Sequence, residues 1–290
     1  MIVTKFKYPL EKNLLPKLDL MAQRCSGKGS KKDVVLLCEG GEGEGKTTLS
    51  VAIAYYISEK TGRKFGEQNV FFDLNKLLKF AQETEEQIII WDEPALQALS
   101  TDWASKIVKN LTRFLMMARK KRHFIIINMT KFYKFNEYIV VDRAIGLIHV
   151  YSRKNIQSGR FMYIKKKYLE SLWRDYRFSK RRNYAKYCSK RIRGMFPDVL
   201  NPKYKNNVLS EFDDAHYESE KDKAINSIGM EERVTPAQLR KQLIIKFIKR
   251  ELTIGSKLTQ KQLAEKYEVA VRTIQKYAKE IKDSALRQEA

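Results

Sequence analysis

The sequence predicts an α/β domain built on a mainly parallel sheet, followed by a small all-α unit at the C-terminal end. Three observations carry that expectation. Short runs that are apolar along their length alternate with segments of helical spacing, the pattern of a sheet covered on both faces. A glycine-rich loop joins the first such run to a helical segment. After a stretch rich in acidic residues, the chain from about residue 235 onward shows helical periodicity only.

The elements follow in chain order. Residues 1–32 are mixed and end in Ser26-Gly27-Lys28-Gly29-Ser30-Lys31-Lys32, a loop composition. Asp33-Val34-Val35-Leu36-Leu37-Cys38 is β-branched, apolar and bounded by glycines, so it is expected as a buried strand. Residues from Thr47 to Ser58 suit a helix, Asn69-Val70-Phe71-Phe72 a second strand, and Asp73 a cap for a helix carrying Leu74, Leu77, Leu78 and Phe80. Ile88-Ile89-Ile90-Trp91 and Phe124-Ile125-Ile126-Ile127 read as further buried strands, with helical spacing over 103–121 between them. Leu147–Tyr151 and Phe161–Ile164, around Gln157-Ser158-Gly159, read as a hairpin. The expected organisation is an N-terminal segment over 1–32, a core over 33–165, a basic aromatic extension over 166–210, an acidic linker over 211–234 and a helical unit over 235–290.

Charge narrows the class of partner. The 290 residues hold 57 Lys and Arg against 34 Asp and Glu, a formal net charge of +23. Such a field attracts polyanions and speeds encounter with them. The three cysteines, Cys25, Cys38 and Cys188, are far apart with no CxxC, and His123, His149 and His216 fall singly, which argues against a disulfide framework or a zinc site. No N-terminal run has the form of a signal peptide, and runs such as Ile88–Trp91 are too short to span a bilayer. A soluble, cytoplasmic protein is expected.

The chemistry concentrates in three strand ends. Gly40-Gly41-Glu42-Gly43-Glu44-Gly45-Lys46-Thr47-Thr48 matches G-x-x-x-x-G-K-[ST], with a strand before it and a helix after it. Glycines at 40, 41, 43 and 45 let backbone N–H groups curl around a phosphate where a Cβ would clash. The helix N-terminus adds partial positive charge. Lys46 is expected to reach the β- and γ-phosphates of ATP and Thr47 to place its hydroxyl on Mg²⁺, with Thr48 beside them. Glu42 and Glu44 sit oddly beside a triphosphate and are tolerable if both point to solvent. Ile88–Trp91 ends in Asp92-Glu93, the Walker B arrangement, in which Asp92 holds Mg²⁺ through water and Glu93 orients and activates the attacking water. The strand at 124–127 runs into Asn128-Met129-Thr130, where Asn128 is the first candidate for a γ-phosphate sensor and Thr130 the second. Arg119 and Arg122 lie just before that strand and are candidates for an arginine finger completing a neighbouring subunit's site.

Ala118-Arg119-Lys120-Lys121-Arg122-His123-Phe124-Ile125-Ile126-Ile127-Asn128-Met129-Thr130, with Asp92-Glu93 and Asp142-Arg143, resembles the FtsK/HerA-type DNA-pumping ATPases, a group near which viral genome-packaging and zonular-occludens-toxin-like ATPases fall. The resemblance covers roughly residues 33–165. It implies a RecA-like P-loop NTPase fold, homo-oligomeric rings that are typically hexamers, and movement of duplex DNA through a central pore. Two departures stand out: this group usually has Gln where the chain has Asn128, and the toxin-like relatives carry a membrane span. Initiator or helicase-loader ATPases, which pair a P-loop core with a C-terminal DNA-binding unit, are the competing family. Partition ATPases of the ParA type place a second lysine where the chain has Gly41.

Two regions suit DNA. Lys165, Lys166, Lys167, Lys180, Arg181 and Arg182 interleave with Tyr163, Tyr168, Trp173, Tyr176, Phe178, Tyr184 and Tyr187; the cations are expected on phosphates and the aromatics mostly in the core. Residues Thr259 to Tyr277 resemble a helix-turn-helix: Thr259 caps the first helix, Leu263 faces inward, Ala264 is small at the crossing, and Val269, Ile274 and Tyr277 anchor the second helix. Arg272, Thr273, Gln275 and Lys276 are its candidate DNA contacts. Glu268 stands where that turn usually takes Gly.

Because Glu93 is assigned only to water activation, Glu93→Gln is expected to keep ATP affinity and slow turnover by about 10²–10⁴-fold. Single-turnover phosphate release beside equilibrium nucleotide titration measures both; turnover near wild type would place the base elsewhere.

Overall fold

The computed structural model describes residues 2–3, 9–26, 32–92, 109–116, 118–135, 137–153, 157–181, 183–188, 192–196, 212, 214–227, 244–245, 248, 259–266 and 269–286. The chain divides into two compact units, Met1–Ile228 and Gly229–Ala290.

The first unit is organised by a seven-stranded sheet. Its strands are β3 (Val34–Glu39), β4 (Val70–Phe71), β5 (Ile88–Trp91), β6 (Phe124–Met129), β7 (Gly146–Arg153), β8 (Gln157–Lys165) and β9 (Arg193–Met195). They lie in the order β4-β5-β6-β3-β7-β8-β9. Pairing is parallel from β4 through β7, and β8 and β9 add antiparallel at the edge. This is the RecA-like α/β architecture expected from the sequence, with β6 inserted between β3 and β5.

Strands buried on both faces explain why the apolar runs show no alternation. Val34, Leu36 and Cys38 of β3 and Phe124 and Ile126 of β6 face one core layer. Val35 and Leu37, with Ile125 and Ile127, face the other. On the first side lies α2 (Lys46–Thr61), buried over most of its length and ended by Gly62 at φ 71. On the second lies α3 (Leu74–Glu83), where Asp73 accepts from the Lys76 N–H at 2.9 Å, the cap read from the sequence. The helix expected over 103–121 is described over 109–116, followed by a tight turn at Ala118–Lys121, and its earlier part lies outside the described residues.

The N-terminal segment is part of the core. Two short strands, β1 (Ile2–Val3) and β2 (Pro9–Leu10), precede α1 (Leu15–Ser26). Leu15, Leu18, Met21, Ala22 and Cys25 of α1 join the same apolar cluster as α2 and β3. Their spacing is helical, so the signal was present in the sequence beneath the loop-like end of the segment. Residues Asp214–Ser227, placed in the acidic linker by composition, form a helix of the first unit, and its Tyr217 is buried in that cluster.

In the second unit, helices Gln260–Lys266 and Val271–Leu286 enclose Leu263, Ala264 and Ile274 together with Ile244 and Ile248. Thr259 and Gln262 bond reciprocally, Thr259 N–H to Gln262 Oε1 at 2.8 Å and Gln262 N–H to Thr259 Oγ1 at 3.4 Å, a capping box at the start of the first of these helices. Glu268 lies outside the described residues.

The N-terminal end of the sheet is closed by polar groups that serve structure. Asp33 and Arg143 form a buried ion pair there. His123 is fully buried; its Nδ1 accepts from the Gln87 N–H at 3.1 Å, which leaves Nε2–H to donate to the Ala81 carbonyl at 2.9 Å. The bond accepted at Nδ1 requires the neutral ring, and burial holds the imidazole pKa below its ordinary value. Below the unfolded value of about 6.5 the unfolded chain therefore takes up a proton that the native ring refuses, so stability rises with pH across that window and is lost as pH falls. The thermal midpoint is expected to drop between about pH 6.5 and pH 5, and in His123→Gln that drop should be visibly shallower. Calorimetric melts across this range check it.

Candidate nucleotide site

The site forms where β3, β5 and β6 end side by side, at the C-terminal edge of the sheet. Register places Cys38 opposite Asn128 and Trp91 opposite Ile127, so Asp92, Asn128 and the loop after Glu39 meet at one level. The loop then turns into α2. Gly45 is left-handed at φ 90, and a Cβ built there would lie 3.2 Å from the Phe196 ring, so both backbone and space demand glycine. No side chain caps α2, which leaves its first N–H groups for a ligand. The Lys46 ammonium, nearly buried, arches back over the loop to the Gly41 carbonyl at 2.6 Å. This is a cradle that phosphate oxygens fit.

A chain of hydrogen bonds joins the three strand ends. Thr47 Oγ1 donates to Asp92 Oδ2 at 2.8 Å, Asn128 Nδ2 donates to Asp92 Oδ1 at 2.9 Å, and Ser50 Oγ donates to Asn128 Oδ1 at 2.5 Å. Asp92, Ser50 and Asn128 have no exposed surface. The sequence pointed to Thr47, Asp92 and Asn128 separately, and the fold brings them into direct contact. Ser50 was missed, although it lies one helical turn beyond Lys46 on the same face of α2.

A hydroxyl and a carboxylate are hard oxygen donors of the kind Mg²⁺ takes, and too few to hold it without phosphate oxygens and water. Consistent with that, the described residues contain no cluster of three or more His, Cys, Asp or Glu able to hold a metal alone. The residues therefore fit a magnesium nucleotide, with Thr47 and Asp92 toward the metal and Lys46 toward the phosphates. Thr48 is half-buried beside them on the first turn of α2.

The fifth member of the cluster had no sequence signal. Tyr217, 125 positions away from Asp92, donates its hydroxyl to Asp92 Oδ2 at 2.8 Å. Burial first, then the Asp92 charge, pushes its phenol pKa well up, so it is a fixed donor. Glu39 was also passed over. This buried carboxylate directly before Gly40 contacts His149 Nδ1 at 2.5 Å and accepts from the Tyr184 hydroxyl at 2.8 Å, while the His149 and Tyr184 rings stack 3.8 Å apart.

The other candidate residues are placed as follows. Glu42 is exposed, whereas Glu44 departs from expectation: it folds inward and accepts from Ser152 Oγ at 3.0 Å. Cys38, fully buried behind the loop, has its thiol pushed up to about 12 by burial and is chemically inert. Glu93 lies outside the described residues, as does Arg182. Arg119 is exposed and Arg122 pairs with Glu86; both precede β6, about 20 Å along the strand from the loop. Neither is placed to reach its own chain's phosphates. Lys167, Lys180 and Arg181 are exposed, while Lys165 is half-buried and Lys166 donates to the Asp142 carbonyl at 2.6 Å. Arg272, Gln275 and Lys276 are exposed on the second helix of the C-terminal unit and Thr273 is half-buried.

Strand order, glycine loop and the Asp92 strand together define a P-loop NTPase fold. No protein-family profile matches the chain, and no curated protein matches it. Among solved structures, a KaiC-like protein from the hyperthermophilic archaeon Pyrococcus horikoshii OT3 is similar at 17% identity, with a TM-score of 0.33, over 47% of this chain and 79% of that one. So distant a likeness says nothing of activity, and the fold assignment stands on the strand order and the loop.

Lys46→Ala is expected to abolish binding of ATP and ADP in isothermal titration while leaving the thermal midpoint little changed, because among the described residues the ammonium bonds only to the Gly41 carbonyl of the loop it crosses. Wild-type affinity in that variant would remove Lys46 from the phosphate site.

Proposed function

We propose that this protein is a magnesium-dependent ATPase that works on DNA, most directly as a homo-oligomeric DNA translocase of the genome-packaging kind. The observation that carries the ATPase part is the hydrogen-bonded set Thr47, Asp92, Asn128 and Ser50 beneath the glycine loop. Lys46 and the loop amides bind the phosphates, and Thr47 and Asp92 would hold Mg²⁺, which would supply charge neutralisation on the phosphate oxygens. Water attacks the γ-phosphorus and gives its proton to Glu93, the bond to the β-phosphate oxygen breaks, and ADP and phosphate leave. Asn128, bonded to Asp92, is the group through which loss of the γ-phosphate is sensed. Arg119, exposed at the far end of the sheet, suits a finger offered to a second copy's site, which supports a ring, hexameric by analogy with the FtsK/HerA group.

The DNA part is supported by the net charge of +23 and by the exposed Arg272, Gln275 and Lys276 on the second helix of a helix-turn-helix-like unit. Duplex DNA is the favoured partner. An ATP-dependent DNA-binding switch of the initiator or loader type is the second reading. What favours it is the helix Asp214–Ser227, which touches the metal-binding carboxylate and directly precedes the second unit.

Replacing Arg272, Gln275 and Lys276 by alanine is expected to weaken duplex binding and flatten sequence preference while basal ATPase activity persists, since the nucleotide-site residues named above all lie in the first unit. Lys167→Ala with Arg181→Ala should weaken binding to all sequences alike and reduce the salt slope by about one for each phosphate no longer neutralised. Duplex titrations at several salt concentrations measure both. If the triple substitution changes neither affinity nor preference, the C-terminal unit docks protein rather than DNA. Displacement of a protein roadblock on ATP addition separates motor from switch.

A further inference from the structure

We propose that Tyr217 is a positioning residue that holds Asp92 in its resting arrangement and lets go when a magnesium nucleotide binds, so that the helix Asp214–Ser227 changes its grip on the domain with the state of the site. The proposal rests on the reading of that site as a magnesium–nucleotide site.

Oxygen Oδ2 of Asp92 accepts two hydrogen bonds at 2.8 Å, one from Thr47 and one from Tyr217. A carboxylate oxygen offers about two good acceptor directions, so both are taken. Magnesium in such a site keeps several of its waters, and those waters donate to nearby carboxylate oxygens. With the Thr47 oxygen lone pair turned to the metal and its O–H still donating to Oδ2, both acceptor directions stay taken, so a donating water of the shell has to displace the Tyr217 hydroxyl. A phenol that cannot become an acceptor for another donor at no cost is the weaker competitor against water polarised by a dication.

The helix is built to feel that loss. Among its described side chains Tyr217 alone is buried, and the others are half-buried or exposed. Its ring packs against Phe72 at 5.4 Å and Phe212 at 5.9 Å. The Lys76–Glu220 ion pair at 3.1 Å is a second polar tie to the domain, but its lysine is largely exposed and it contributes little. Between helix and domain lies a cleft of about 370 Å³ lined by Glu67, Phe72, Lys76, His216, Tyr217 and Glu220, so this face is not closely packed. The helix ends at Ser227 and the second unit begins at Gly229, which makes it the covalent route from nucleotide site to the exposed cations of that unit.

Hydrogen–deuterium exchange of the intact chain tests this, read on peptides covering Asp214–Ser227 with and without Mg²⁺-ADP, with nucleotide binding followed in parallel by calorimetry. Exchange of this helix is expected to speed up at least about tenfold when Mg²⁺-ADP is bound, the loss of one hydrogen bond to a charged group. Tyr217→Phe keeps the ring and removes the hydroxyl; its helix should exchange fast already without nucleotide, and the Mg²⁺ concentration needed for ADP binding should fall about tenfold. A packing role alone would leave both unchanged in the Phe variant. Bound nucleotide with unchanged exchange of the helix overturns the proposal while leaving the nucleotide site intact. An unshifted Mg²⁺ requirement in Tyr217→Phe overturns the positioning role. Absence of nucleotide binding in the wild-type chain overturns the site itself, and this proposal with it.

Discussion

A carboxylate with no exposed surface needs hydrogen-bond donors in place of the water it has lost, and Asp92 is where that requirement acts on this chain. Thr47 at the start of α2, Asn128 at the end of β6 and Tyr217 on the helix Asp214–Ser227 each supply one donor. Ser50 in turn fixes the amide of Asn128 so that its N–H₂ faces Asp92. Three stretches of chain far apart in sequence are thus tied to one side chain. Removing any one donor leaves a carboxylate with no exposed surface short of a partner, so the arrangement is cooperative rather than a sum of separate bonds.

The sheet makes that convergence possible. Because β6 runs between β3 and β5 and all three are parallel and in register, their C-terminal ends finish together. Both faces of these strands are covered, by α1 and α2 on one side and α3 and the helix over 109–116 on the other, which is why the strands are apolar without alternation up to Cys38, Trp91 and Ile127. The two ends of the sheet then divide the labour. At the C-terminal end lie the glycine loop and the acceptors and donors of the site. At the N-terminal end, Asp33 with Arg143, and His123 between Gln87 and Ala81, spend their polar atoms on one another and on backbone.

The basic extension follows the same logic of buried rings and exposed charge. Trp173, Tyr184 and Tyr187 are buried against the sheet, and Tyr176 stacks on Tyr133 at 3.7 Å. Several cations lie over these rings: Arg177 over Trp173 at 5.7 Å, Lys180 over Tyr176 at 5.7 Å and Lys186 over Tyr187 at 5.0 Å. Their charged ends stay in water while their stems cover apolar surface. Phe178 is the exception, 88% exposed beside Lys180 and Arg181. Tyr184 also closes the extension onto Glu39, so the surface that carries the cations is attached to the strand that begins the glycine loop.

The glycine loop, the strand that ends before Asp92, the Asp73 cap and the order of strands and helices were all legible in the sequence, because each is governed by neighbours within a few residues: a left-handed turn needs glycine, an N-cap needs a short acceptor, and a strand buried on both faces needs an unbroken apolar run. Helix α1 was equally local, its spacing obscured by the lysines and glycines that follow it. Which carboxylates face inward was not local. Glu44 turns onto Ser152, Glu39 onto His149 and Tyr184, and Tyr217 reaches Asp92 from within a stretch whose composition marks it as solvated linker. A hydrogen bond between side chains more than a hundred positions apart leaves no periodicity along the chain; it exists only once the sheet has set its strands in order and brought their ends together.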